Sequence, residues 1–466
     1  MSALEDDAVD AQALAATTGG VAEPLVGLVA GGPGVTAEEL EPGRARGRGS
    51  ARGMPTGWRQ VALIGSITIV GPLCIDMYLP ALPEINRDLH ASASAVQLSL
   101  TACLIGIATG QLLFGPVSDR LGRRPPLLAG LTAFTIASLA CAAAPNIYFL
   151  IGFRLIQGLG GAAGIVIARS IVRDLHSGAA MARFFATLML AVGVGPILAP
   201  QIGSWVLAFT IWRGVFVLLA VFGVLLVLSA WWRVPETLAP DKRLTGSVGS
   251  TLGTMVMVTR DRVFLGYVLA CGLAAGGTFA YIAGSSFVLQ NIYGLSATTY
   301  GLVFAINACG LIIGAQVSGR LVGRFGASRL LTIGLVTMIA GGALLFVVVS
   351  SRIVGIAGVI PSLWVFMFGF GFVGPNAAAL GMQRYPHAAG SAAAVLGSFQ
   401  FGMAALIAPL AGLGGTHDAT PMITLILAMP IAAVVSRLLL AGPARRQTAA
   451  RAAQAAEDEA AAVSAQ

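Results

Sequence analysis

Side chains able to do chemistry are scarce in this chain, and two of them interrupt apolar runs. Asp76 lies within P-L-C-I-D-M-Y-L-P-A-L-P, Pro72 to Pro83, and Arg154 within L-I-G-F-R-L-I-Q-G-L-G-G-A, Leu150 to Ala162. A carboxyl group in apolar surroundings can carry a proton or meet a cation. A guanidinium stays charged at every relevant pH, so it can tune such a group but not carry the proton itself. A third acid, Asp119, stands among Arg120, Arg123 and Arg124 in G-P-V-S-D-R-L-G-R-R-P, Gly115 to Pro125, where ion pairing is the available chemistry. Bond-making machinery is missing from the pattern: there is no nucleophile–base pairing, no metal-ligand spacing and no G-x-x-x-x-G-K-[ST] phosphate loop. His417 beside Asp418 is too isolated to argue for a metal. The expectation is a protein that moves protons and charges, with no cofactor, no metal and no enzymatic activity.

The elements that hold these residues follow from composition. Of the 466 residues, 56% are hydrophobic and 10% charged, and the mean hydropathy is +0.85. A soluble protein carries about 25% charged residues, so this chain cannot coat a water-soluble globule. It belongs in a bilayer. Cys74, Cys103, Cys141, Cys271 and Cys309 all fall in apolar runs and read as packing residues.

Apolar runs and turn signals place twelve spans near 59–80, 96–116, 126–144, 147–170, 182–208, 213–233, 263–288, 299–319, 329–349, 353–380, 388–413 and 419–441. The fold class expected is an all-α polytopic membrane protein of two pseudo-symmetric six-helix bundles, 58–233 and 263–441, joined by a polar linker over 234–262. Residues 1–57 read as a disordered tail, because Met1 to Glu41 holds eight acids and no Lys or Arg before a basic, Gly-rich cluster begins. Residues 442–466 read as a second tail. Alternating from the first tail, twenty-four basic residues fall on one side, while Arg87, Arg213 and Arg352 fall on the other. By the positive-inside rule both termini are cytoplasmic in the cell membrane, and the +8 charge is a topology signal that needs no nucleic acid. V-S-D-R-L (Val117 to Leu121) recurs as V-S-G-R-L (Val317 to Leu321), a weak internal repeat of the two halves.

Within this frame the loop Gly115 to Pro125 resembles the signature loop of the major facilitator superfamily, Gly-x-x-x-Asp-Arg-x-Gly-Arg-Arg. Gly115, Asp119, Arg120, Gly122, Arg123 and Arg124 occupy its defining positions. The resemblance implies that Asp119 faces the N-terminal end of a helix in the other half, pairs with loop arginines and holds the cytoplasmic gate closed. Gly319 stands in place of the acid in the second copy, so only the first carries that network. The run around Arg154 and Gln157 matches the fourth span of related antiporters, in which this arginine is implicated in proton coupling. G-V-G-P-I-L-A-P-Q-I-G is similar to the fifth-span motif of drug:proton antiporters through Gly193, Gly195, Pro196, Pro200 and Gly203, with Ser204 in place of a closing glycine. Added to these are D-M-Y-L-P-A-L-P, R-S-I-V-R-D after the fourth span, F-A-Y-I-A-G-S-S-F-V-L-Q, N-A-C-G-L and G-P-N-A-A-A-L. Together, over about Trp58 to Ala441, they resemble the Bcr/CflA subfamily of bicyclomycin- and chloramphenicol-type drug exporters. Some members carry a second acid one or two turns earlier in the first span, where this chain has Thr68 and Gly65.

The expected function is therefore proton-coupled export of small, largely apolar drugs by alternating access, with Asp76 and Arg154 coupling the proton. Asp76 lies 17 residues beyond Arg59, roughly 25 Å along a helix, in the outer half of its span. Arg154 at membrane depth costs about 2.5–3.5 kcal/mol and should face a cavity or partner. Tyr78, Gln97, Gln157, Tyr281, Asn307, Asn376 and Gln400 are polar or aromatic on apolar spans, and line a substrate cavity or bond helix to helix. A major facilitator importer or exporter of one metabolite is the alternative. The partners expected are drug, protons and lipid, with the chain acting as a monomer.

Overall fold

The computed structural model describes residues 57–243, 248–351, 353–385 and 388–440, and among these every regular element is helical. Both tails, apart from Gly57, lie outside the described residues. The first span is a bent pair: α1 (Trp58–Thr68) and α2 (Val70–Asp76) are followed by a 3-10 turn (Leu79–Ala81) and α3 (Leu82–Asp88), with a bend of 43° at the α1–α2 junction. Pro72 explains the bend. It has no N–H for the carbonyl of Thr68 four residues earlier, so the ladder breaks there. Thr68 instead turns its hydroxyl back on Ile64 O at 2.8 Å.

The remaining elements are α4 (Ala93–Leu121), α5 (Arg124–Ala142), α6 (Ile147–Leu175), α7 (Gly178–Phe209), α8 (Arg213–Arg233), α9 (Val248–Thr259), α10 (Arg262–Phe287), α11 (Ala297–Phe325), α12 (Ala327–Ser351), α13 (Ile356–Met382), α14 (Ala389–Ala411) and α15 (Thr420–Leu440). Among the described residues ten helices are long and apolar enough to span by themselves, the bent pair makes an eleventh, and α7 occupies the place expected of the fifth span, with an apolar stretch over Gly193–Phe209. One expectation needs correction. The linker is not merely polar: after a 3-10 turn at Pro240–Lys242 it forms α9, because residues 248–259 carry no charge and bury Met255 and Val258 against Phe264, Val268, Ala392 and Val395.

The packing repeats between halves. In the first, α4 packs on α6, α6 on α5, and α5 on α8; in the second, α11 packs on α13, α13 on α12, and α12 on α15. Across the seam α4 meets α14 and α7 meets α11, two contacts that a two-fold axis would exchange. Helix starts repeat as well. Ser92 caps α4 by accepting from Ala95 N, and Ser296 caps α11 by accepting from Thr299 N, both at 3.2 Å. Such a cap is worth about 1 kcal/mol. Small residues let helices touch: a Cβ on Gly158 of α6 would run into the Cys103 carbonyl of α4. The α10 span is 83% buried inside the protein and α15 only 28%, so α10 is central and α15 peripheral.

Candidate functional site

Asp76 ends α2, at the joint where the first span turns through Met77 and Tyr78 into the 3-10 turn. It is 5% exposed, and among the described residues no ion pair or hydrogen bond engages its carboxylate. Tyr281 of α10 and Tyr300 of α11 lie within its electrostatic reach, so its surroundings include the second half. Gly203 of α7 makes the joint possible, since a Cβ there would occupy the Met77 carbonyl. Gly195 packs on Pro72 at 3.2 Å and Gly193 on Ile312 of α11 at 3.6 Å, both measured from the position a Cβ would take. Pro196 and Pro200 lie inside α7. The motif of the fifth span is thus a surface fitted to the broken first span. We expect Gly203→Ala to lower transport by about tenfold or more, because a backbone carbonyl cannot move aside as a flexible side chain can. Vesicle transport measured at matched expression checks this, and wild-type rates would show the joint to be tolerant.

Arg154 is fully buried on α6. Its Nη1 donates to Cys74 O at 2.8 Å and to Gln157 Oε1 at 2.6 Å, while Gln157 Nε2 donates to Ser138 Oγ at 2.8 Å. The guanidinium carbon lies 4.2 Å from the centre of the Tyr78 ring and 5.8 Å from that of Phe216. Two rings and a carbonyl dipole therefore shelter the charge. Arg154 and Asp76 form no ion pair; they are linked through α2, since the carbonyl that Arg154 holds belongs to the residue two before Asp76. Ser138 and Phe216 were not legible as members of this cluster, because their only signal is a small hydroxyl and a ring on apolar helices.

The other candidates divide. Tyr78 Oη is 3.3 Å from Ser99 Oγ. Asn307 Nδ2 donates to Tyr281 Oη at 3.0 Å, and Tyr281 stacks on Phe304. Gln97 Nε2 donates to Ala283 O in the other half at 3.1 Å. Gln400 is half-buried with no hydrogen bond to the protein among the described residues. Asn376 stands apart: it donates to Ser318 Oγ and Phe372 O, both at 2.7 Å, and so ties α13 to α11.

Hydrogen bonds between the halves gather on the side away from the termini. Ser94 reaches Gly412 O at 3.0 Å, Thr101 reaches Ala405 O at 3.2 Å, Ser286 reaches Leu79 O at 2.6 Å and Gln290 reaches Pro80 O at 3.2 Å. Ser204, the departure from a glycine pair, lies 2.8 Å from Ala297 O of α11, and Gly301 leaves room for it.

On the terminal side the signature loop is engaged within its own half. Arg123 pairs with Asp119, and its Nε donates to Asp174 at 2.8 Å. Gly122 makes the turn at φ +92°, beside Glu236 of the linker. The Glu236 carboxylate accepts from Arg123 N at 2.7 Å and Arg124 N at 3.2 Å, and Arg124 lies over the Trp231 ring. A carboxylate at the start of α5 meets the positive end of its dipole. Burial works against the Arg123 charge, yet Asp174 and Asp119 outweigh it and raise its pKa. Arg120 makes no contact in this network. Among the described residues the ion pair of Asp119 is with Arg123, within the first half. Removing the charge by Asp119→Asn should leave insertion intact, since three arginines still anchor the loop, and cut transport about tenfold or more. Wild-type transport by this variant would reduce the loop to an anchor.

Comparison with known proteins decides the family. Residues 64–409 match the model of the Major Facilitator Superfamily. The chain belongs to that superfamily. This makes it a multi-pass membrane transporter, and not an enzyme. An uncharacterized MFS-type transporter, YdgK of Bacillus subtilis, is 42% identical over 79% of this chain and 92% of its own length. A bicyclomycin resistance protein homolog of Haemophilus influenzae is 28% identical over 78% and 91%, and multidrug resistance protein D of Escherichia coli is 30% identical over 72% and 83%. These names agree with the Bcr/CflA resemblance in the sequence. Among solved structures, a mutant of the nucleoside transporter NupG superposes with a TM-score of 0.66 at 14% identity, covering 82% of this chain and 98% of that one. A D-xylose-proton symporter superposes at 0.63 and 18% identity, covering 81% and 95%. At such identities the likeness concerns the fold alone.

Proposed function

We propose that this transporter exports small, largely apolar drugs from the cell in exchange for protons, by alternating access of its two halves in the cell membrane with both termini cytoplasmic. The observation that carries the reading is Asp76: a buried carboxyl without a fixed cation, at the joint of a broken span and within reach of the other half. Its charge is decided by what reaches it, either a proton or substrate, which is what exchange requires. Apolar walls with few polar groups favour substrates recognised by shape, and the names of the drug-resistance relatives agree with that class. Arg154 and Gln157 hold the joint in place, and Tyr78, Gln97, Tyr281, Asn307 and Gln400 offer the polar contacts. The test uses everted vesicles with a preformed proton gradient. Adding a panel of chemically unrelated drugs should dissipate the gradient, and drug uptake should stop on uncoupling. Uptake that survives the uncoupler or needs ATP overturns the proposal; a response to one metabolite alone points to a dedicated transporter.

A further inference from the structure

The R-S-I-V-R-D run at the end of α6 has a use that the coupling site does not absorb. Its Asp174 is taken by Arg123 and by the Thr237 hydroxyl. Its two arginines, Arg169 and Arg173, lie one helical turn apart on one face, and no acid pairs with either among the described residues. Both side chains are exposed. Arg173 faces the second half: its Nη1 is 3.7 Å from where a Cβ on Gly390 of α14 would sit, while its Nη2 donates to Ser170 Oγ at 3.1 Å.

We propose that Arg169 and Arg173 form an anion-binding site for a phosphate group where the end of α6 faces the start of α14. One guanidinium satisfies a carboxylate with two parallel bonds, whereas two guanidiniums a turn apart suit a tetrahedral anion with more acceptor oxygens and a double charge. The occupant also has a mechanical effect. Arg173 already lies against the first turn of α14, which is the positive end of that helix dipole, and a bound anion removes the repulsion. The site stands independently of which drug is exported or whether protons drive it. A free phosphate compound and a lipid headgroup offer the same chemistry.

The experiment uses the purified full chain in nanodiscs. Thermal stability is read while inorganic phosphate is titrated into phosphatidylcholine discs at constant ionic strength, and again in discs containing phosphatidic acid. Wild type should be stabilised in at least one arm, and Arg169→Gln/Arg173→Gln should weaken the response at least about tenfold. Arg169→Lys/Arg173→Lys, which keeps the charge and the topology, should fold and still weaken it. Arg324→Gln, another terminal-side arginine, should respond as wild type does. A response to phosphate in phosphatidylcholine discs identifies a free solute; one confined to phosphatidic acid discs identifies the headgroup. No response by wild type, an undiminished response by either double variant, or an equal loss in Arg324→Gln overturns the site.

Discussion

Asp76→Asn should insert, fold and still bind the proposed drug substrate, but should no longer export it against a gradient. The amide keeps the size of the carboxyl and cannot exchange a proton, so only the coupling is removed. Because no cation is fixed beside Asp76, the substitution leaves no partner charge stranded, and the packing of the first span should survive. Coupling between two ligands is commonly worth about 1–3 kcal/mol, so drug affinity, which in the wild type should change about 5- to 150-fold between the protonated and ionised forms, should become flat with pH in the variant. Asp76→Glu restores a carboxyl one methylene away and should keep partial activity. The decisive measurement is drug-induced proton release from purified protein between pH 5 and pH 9. Wild-type release by Asp76→Asn would move the coupling site elsewhere.

Arg154→Lys, although it keeps the charge, should lose most transport. The guanidinium reaches a carbonyl, an amide oxygen and the faces of two rings at once from a fully buried position. An ammonium is a point charge with a stronger claim on water, and it offers no plane to lay on Tyr78. Losing a desolvated cation–π contact of about 2 kcal/mol, together with one of the two hydrogen bonds, corresponds to roughly tenfold to hundredfold in rate or more. The defect should be geometric, so Arg154→Lys should still release protons on drug addition, though weakly. Wild-type transport would show that charge alone suffices there. Complete loss of proton release, equal to that of Asp76→Asn, would mean instead that Arg154 shares the coupling step.

Much of this protein was legible before any coordinates. Low charge and high hydropathy exclude a soluble globule because the solvent of the chain is written into its composition. Periodic apolar runs of about twenty residues must be helices in a bilayer, where each backbone group needs a partner in its own segment. The signature loop was legible because its chemistry is local: Asp119 and Arg123 are four residues apart, and Gly122 provides the positive φ of the turn between them. The break in the first span was not read from the sequence, which set one span over 59–80, although Pro72 is its cause.

What the tertiary structure decided are the pairings across long stretches of chain. Sequence reasoning made Arg154 a charge that could tune Asp76 and left open whether the two meet. In the structure Arg154 reaches back 80 residues to the carbonyl of Cys74 and lies on the Tyr78 ring, leaving the carboxyl uncommitted. Glu236 meets the signature loop over 113 residues, and Ser204 meets Ala297 over 93. Asn376 proved to be bonded to Ser318 in a neighbouring helix. The linker helix α9 was unreadable for a related reason: twelve uncharged residues between two polar stretches have no preference until Phe264 and Val395 give them a surface to bury against. By itself the sequence determined which residues must lie in the membrane and which local turns they form, since water, lipid and the backbone act on each segment separately. Which face each helix turns to which neighbour depends on how all the helices pack at once, and that alone determined which charges have partners and which are free to take a proton.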